Sequence, residues 1–267
     1  MFMKTDFSRG KASEMIAGLP STRLITRLQC VTDISAATER LIALLPIAVR
    51  NYAANEIIVA QGAKSTNCCL VLDGFVAREK AANTSDRQII SFYVPGDIPD
   101  ASTLHLPKMD HNLIGIGPAV VGFIPHLSVN EALAQSPELL HAFWRETLID
   151  SALLRQWVVN LGQREGIARV AHLLCELAMR LDAVGLLRDR SLPIPWTQVD
   201  VADATGMSAI HANRVIQDLR TRGVVHWESR YVRIVDWQQL RDVAGFAPDY
   251  LHLKRPGTSL TAPSALV

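Results

Sequence analysis

The sequence of 267 residues lacks a long hydrophobic run: its longest clean apolar stretch, Leu41 to Val49, contains Pro46 and is far too short to cross a bilayer. Residues 1–18 hold neither an apolar core nor a cleavage-like site, so no signal peptide is expected. Cysteine is scarce as well. The four present, Cys30, Cys68, Cys69 and Cys175, form no C-x-x-C pair, and adjacent Cys68 and Cys69 could not easily bond each other. The expected setting is a reducing cytoplasm. An excess of one charge is missing too, the formal net charge being +1, so any nucleic-acid surface must be a local patch. Apolar residues are abundant, at 49% hydrophobic against 20% charged. That is enough to bury a sizeable core, and the length makes two domains the natural expectation.

Residues 1–34 read as a loose lead-in, followed by a helical candidate from Ser35 to Val49. From Tyr52 to Ile124 the texture changes to strand-sized runs, "EIIVAQG", "CCLVLDGFVAREK", "RQIISFYVPGD", "LIGIG" and "AVVGFIP", separated by turn residues. Asp73-Gly74 is a hairpin signal. Short strands with regular turns predict an antiparallel jelly-roll barrel over residues 35–134. Helix then takes over. Ser136 is a plausible N-cap with Pro137 at the first helical position. Leu140, Trp144, Thr147, Ser151, Leu154, Val158 and Leu161 step by four and three, as in a coiled-coil seam. Such a helix packs either on its own barrel or against its twin in a dimer, and the seam runs beyond what a small barrel can cover. The predicted dimerisation helix and hinge, residues 135–164, contains Gly162, and "EGIARVAHLLCELAMRL" resumes a helix from Glu165.

"PIPW", Pro193 to Trp196, marks a boundary before the stretch with the most specific chemistry, "TQVDVADATGMSAIHANRVIQDLRTRG". Thr197 is an N-cap with Asp200 placed to complete a capping box. Gly206 permits a left-handed turn, and Ser208 caps a second helix. Ala212, Val215, Ile216 and Leu219 form its inward face; His211, Asn213, Arg214 and Gln217 point outward. A small residue at Ala202, Gly206 four later and an apolar residue six further on give helix-turn-helix spacing. An arginine on a helix inserted in the major groove can hold a guanine with two hydrogen bonds, and the unpaired amides at Thr197 and Ser208 suit phosphates. "VVHWESRYVRIVD" alternates as a hairpin turning near Ser229, a wing carrying Arg230 and Arg233. This DNA-binding unit is expected over residues 165–250, and a disordered tail over 251–267. The fold class is α+β: an N-terminal jelly roll, a long dimerisation helix and a C-terminal winged helix-turn-helix.

"EIIVAQG…LVLDGFV…FYVPGD", "NLGQREGIARVAHLLCEL" and "WTQVDVADATGMSAIHANRVIQDLRTRGVV" together resemble the Crp/Fnr superfamily of bacterial transcription regulators, over about residues 35 to 245. The resemblance implies a cyclic-nucleotide-binding-type barrel, a homodimer on palindromic DNA, and contact with RNA polymerase. It places Ala209, Ile210, His211, Asn213 and Arg214 on the recognition helix, with Arg214 at the guanine-reading position. Ala209 and Ile210 stand where the cyclic-AMP-responsive branch has a second Arg and a Glu, so the half-site should differ. Thr197, Gln198, Ser208, Gln217 and Arg230 complete the expected DNA-contacting set.

The sensor departs from the pattern. The resemblance calls for a Gly-Glu pair and a phosphate-gripping arginine. Here Gly96 precedes Asp97, and no arginine lies between Arg87 and Arg145. A cyclic phosphate would be poorly compensated, and cyclic AMP is not the expected effector. Scattered cysteines disfavour an iron–sulfur cluster, and His105, His111 and His126 are isolated loop histidines rather than a haem site. No metal site is expected, and Cys175 reads as buried packing. Gly96, Asp97, Asp100, His111 and Arg155 are the candidate effector-pocket residues, for an unidentified small molecule. The segment from Pro95 to His111 that holds the first four is read, on balance, as a polar surface loop. No nucleophile–base constellation points to an enzyme. The alternatives are a ligand-binding, cupin-like jelly roll, for which metal-ligand histidine pairs on the strands are missing, and a nucleotide-sensing subunit acting on a protein partner.

Overall fold

The computed structural model describes residues 18–81, 87–106, 108–228, 231–254 and 260. Two short helices come first. α1 (Thr22–Gln29) buries Leu24 and Leu28, and α2 (Ala36–Ala43) starts at Ser35, whose hydroxyl accepts the Thr38 amide. The lead-in is therefore part of the core from α1 onward, where Leu24, Ile25 and Leu28 meet Ile42, Leu70 and Ile124. The helix expected to reach Val49 ends at Ala43, and β1 (Ala48–Tyr52) takes over after Pro46.

β2 (Ile57–Val59), β3 (Asn67–Ala81), β4 (Arg87–Tyr93) and β5 (Asn112–Pro125) complete an antiparallel sheet in the order β1-β5-β3-β4, with β2 also on β5. Among the described residues this sheet does not close into a barrel. "CCLVLDGFVAREK" is one continuous strand, β3, because Asp73-Gly74 is not a hairpin, and "LIGIG" and "AVVGFIP" merge into β5. Gly74, at φ +76°, is an irregularity within β3, and it faces another at Gly117 and Pro118 in β5. A methyl group on Gly74 would stand 2.3 Å from the Pro118 carbonyl oxygen, so the two kinks cross at a contact that only glycine permits.

α3 (His126–Gln135) leads into the long α4 (Pro137–Gln163), capped by Ser136, and Gly162 is carried inside its last turn rather than ending it. Val129, Ala132 and Leu133 of α3 pack with Leu139, Ala142 and Phe143 of α4 in the same core as α1. α5 (Gly166–Ala183), α6 (Gln198–Thr205), α7 (Ala209–Thr221) and α8 (Trp237–Ala244) follow, with a small sheet β6-β8-β7 made by Ser191–Leu192, Val232–Ile234 and Val225–Trp227. The β6 strand was not foreseen. The expected turn at Ser229 and Arg230 lies outside the described residues.

The "PIPW" boundary is an interface. Trp196 stacks on Phe92 of β4 at 4.2 Å between ring centroids and meets Phe75 of β3 edge-on at 5.5 Å. One continuous apolar core consequently runs from the sheet through Trp157 of α4 into α5, α6 and α7. The chain end also folds back. Tyr250 and Leu251 pack into this core, and the Lys254 amide donates to the Cys30 carbonyl at 2.8 Å. Residues 251–254 are therefore tied down where a tail was expected, and Leu260 is buried; 255–259 and 261–267 lie outside the described residues.

Candidate nucleic-acid interface and the cleft behind it

α6 begins with the complete capping box. The Thr197 hydroxyl accepts the Asp200 amide, and the Asp200 carboxylate accepts the Thr197 amide at 2.7 Å. Gly206, at φ +64° and ψ +40°, turns the chain, and the Ser208 hydroxyl caps α7 by accepting the His211 amide. Ala212, Val215, Ile216 and Leu219 are buried against α5 and α6. Opposite them Ser208, Ala209, Ile210, His211, Arg214 and Gln217 are exposed and Asn213 is half-buried; Thr197 and Gln198 are also exposed. Arg230 lies outside the described residues.

Arg214 stands apart from most arginines of the molecule. It makes no hydrogen bond or ion pair among the described residues. Its neighbours on α7 are engaged: Arg220 donates to the Gln217 side chain, and Arg222 pairs with Asp218 at 2.9 Å. His211 has a second contact besides solvent, because a methyl group at Gly166 would lie 2.9 Å from its Nε2. The start of α7 thus rests on the start of α5.

A cleft of about 200 Å³ opens between α1, the Gly96–Ser102 corner and α4. Of the expected pocket residues, Gly96 and Asp97 line it. Asp100 is fully buried just behind, where its Oδ1 accepts the Cys69 amide at 2.7 Å. Burial pushes the Asp100 carboxyl up to about 6, and its Oδ2 has no partner. His111 is buried against Asp110, which its Nδ1 meets at 2.7 Å, and Arg155 is exposed on α4 and donates to Ser151. Neither lines the cleft. Pro95 to Leu104 is mostly buried, so the surface-loop reading fails for that part; His105 and Leu106 are exposed. Asp97 and Asp100 are drawn inward by amides at Val94 and Cys69 that the strand ladder leaves unpaired.

The arginine missing from that segment is supplied in space by three others. Arg27 of α1 reaches Asp97 and Glu146, each at 2.9 Å. Arg180 of α5 meets the second Asp97 oxygen at 2.6 Å and donates to the Phe92 carbonyl at 2.9 Å. Arg78 of β3 pairs with Asp150 at 2.7 Å and lies over the Tyr93 ring, whose hydroxyl donates to the other Asp150 oxygen. Burial opposes charge on Arg27 and Arg180, but the surrounding carboxylates prevail and hold both above their ordinary pKa. Sequence spacing could not reveal this set, which comes from four elements. Its one local signal is Glu176 and Arg180 four apart inside the apolar run of α5, a pair that had to be buried together.

His105, His111 and His126 do not converge. No group of three or more His, Cys, Asp or Glu able to hold a metal occurs among the described residues. Cys175 is fully buried, with its thiol pushed up by burial. No helix among the described residues is long and apolar enough to cross a membrane.

A sheet domain of this type joined through a long helix to a capped helix-turn-helix defines a two-domain transcriptional regulator. Residues 49–136 match the cyclic nucleotide-binding domain family, and residues 168–243 the Crp-like helix-turn-helix domain family. The chain is 23% identical over 204 residues to the transcriptional activator protein FnrL of Cereibacter sphaeroides, spanning 73% of this chain and 80% of that one. It is 24% identical over 201 residues to the nitrogen fixation regulation protein FixK of Rhizobium meliloti, spanning 74% and 88%. The solved structure of FixK2 from Bradyrhizobium japonicum superposes with a TM-score of 0.68 at 21% identity, over 76% of this chain and all of that one. The chain belongs to the Crp/Fnr family of transcriptional regulators and is not an enzyme.

Proposed function

We propose that the protein acts in the cytoplasm as a homodimer that reads a palindromic DNA site with α7 of each copy in the major groove. The observation that carries this reading is Arg214, exposed on the outer face of a capped second helix and without a partner among the described residues. Burying an unpaired guanidinium in a protein contact would be costly, whereas guanine offers its O6 and N7 to both arms of the fork. Asn213 and His211 flank it, Ala209 and Ile210 offer apolar contact to a thymine methyl, and Ser208, Thr197, Gln198, Gln217 and Arg230 would meet the backbone.

α4 supports the dimer. Leu140, Trp144, Thr147, Ser151 and Val158 of the expected seam are exposed, and Trp144 and Val158 are 64% and 71% exposed. Leu148 and Val159 lie on the same open face, while Leu154 and Leu161 are half-buried. A row of large apolar side chains along a 27-residue helix is a surface awaiting cover. Contact with RNA polymerase is the corresponding expectation for the bound dimer.

Cyclic AMP does not suit the cleft. Arg27, Arg78 and Arg180 are each already paired with Asp97, Glu146 or Asp150, so among the described residues no cation lining the cleft lacks a carboxylate. Selection of DNA from a random pool by the full-length protein tests the reading. The expected result is a two-fold symmetric site with half-site centres about one helical turn apart. Recovery of no preferred sequence, or a stable monomer in solution, contradicts it.

A further inference from the structure

We propose that α1 is a tethered wall of the cleft, and that Arg27 is the positioning residue that holds the DNA-binding domain in its DNA-competent place without a small molecule. The inference rests on the function proposed above and adds how it is controlled.

Three observations converge. α1 sits directly on the corner glycine: a methyl group on Gly96, at φ +102°, would stand 2.7 Å from both the Arg23 carbonyl oxygen and the Arg27 Cβ. Only glycine allows a helix this close, so the corner is shaped to receive one. Next, the Asp97 carboxylate is shared, one oxygen to Arg27 of α1 and the other to Arg180 of α5. Arg27 in turn reaches Glu146 of α4, so lead-in, sheet, long helix and DNA-binding domain meet at one buried cluster. Without Arg27, Asp97 keeps only Arg180, Glu146 loses its partner, and the cluster holds more negative charge than it can bury.

The third observation lies at the far side of the same domain contact. Arg87 of β4 pairs with Asp200 and Asp203 of α6, each at 2.5 Å, and Gln88 donates to the Asp203 carbonyl. Asp200 also forms the capping box with Thr197, at the helix end expected to face phosphates. While the domain is docked, Arg87 neutralises two carboxylates that would otherwise repel the DNA backbone. Undocking exposes them. The docked arrangement is therefore the one suited to DNA, and Arg27 sustains it from the opposite end of the interface.

Arg27→Ala in the full-length chain tests this on the site selected by the wild-type protein. Affinity is expected to fall by between about fivefold and a hundredfold, the usual range for coupling between sites. Amide exchange should speed up in residues 176–183 and 198–205 but not in β3. Guanidinium ion at tens of millimolar, against sodium at equal ionic strength, should refill the vacated space and restore affinity, which loss of stability alone would not predict. Arg27→Ala binding within twofold of wild type, or affinity lost with no rescue and no change in exchange, overturns the inference. If Arg27→Ala does not fold, Arg27→Lys replaces it under the same criterion, since lysine cannot fork between Asp97 and Glu146. Failure of the wild-type chain itself to select a site would instead overturn the proposed function.

Discussion

The arginines of the cleft and the arginine of the recognition helix follow opposite rules. Arg27, Arg78 and Arg180 are buried and each paired with a carboxylate, while Arg214 is exposed and engages nothing among the described residues. Arginines already paired with carboxylates leave little for an anionic ligand to gain. An open fork on a rigid, capped helix has its conformational cost reduced in advance and its donors free. The difference separates the part of the molecule that holds the architecture from the part that meets a partner.

Removing one member from each region is the strongest way to break the comparison. Asp97→Ala takes a shared carboxylate from two buried guanidinium groups, and a loss of about 3–5 kcal/mol is expected, read as a drop of about 10 °C in Tm. Arg214→Ala should leave stability within about 0.5 kcal/mol. Equal melting losses in the two variants would erase the distinction. A smaller effect is expected on the dimer face, where Trp144→Glu places a charge at the centre of the open row. The dimer dissociation constant should rise at least about 30-fold by sedimentation, corresponding to roughly 2 kcal/mol. An unchanged dimer would move the interface elsewhere.

The smallest effect concerns Asp100. Its folded pKa of about 6 lies above the unfolded value, so the folded state holds the proton more tightly, and stability falls as pH rises from about 4 to 6. Asp100→Asn keeps an acceptor for the Cys69 amide without a buried charge. It should stabilise the protein by about 1 kcal/mol at pH 7.5, with the gain fading toward pH 5. His172 works in the other direction. Buried beside Arg164 and stacked on Tyr250, with Gln156 and Phe246 around it, it is held down to about 3. Its contribution is present above about pH 6.5 and is lost on acidification, so in His172→Gln the acid limb of the Tm profile should shift to lower pH.

Local signals made the helix-turn-helix legible. Thr197, Asp200, Gly206 and Ser208 act within three residues of themselves, and each occupies the cap or turn its chemistry suggests. The open apolar row on α4, from Leu140 to Val158, was legible for the same reason, being a periodicity within one helix. The sheet was harder. Asp73-Gly74 has the composition of a hairpin turn, yet cross-strand pairing with β5 carries the chain straight through it. The cleft was least legible. Asp97 was found as a departure from a pattern, but its partners Arg27 and Arg180 are 70 and 83 residues away in sequence and come together only in the fold. Residues 1–34 looked like a lead-in because one short amphipathic helix with a single buried arginine carries no special spacing.

The central claim is that Arg214 is free because DNA completes it. A shift assay with the selected palindrome, comparing wild type with Arg214→Ala and substituting the guanine in each half-site, tests it most directly. The account predicts that wild type discriminates against the substituted site by about 1–3 kcal/mol, and that Arg214→Ala binds both sites alike. An Arg214→Ala protein that retains the wild-type preference would contradict it.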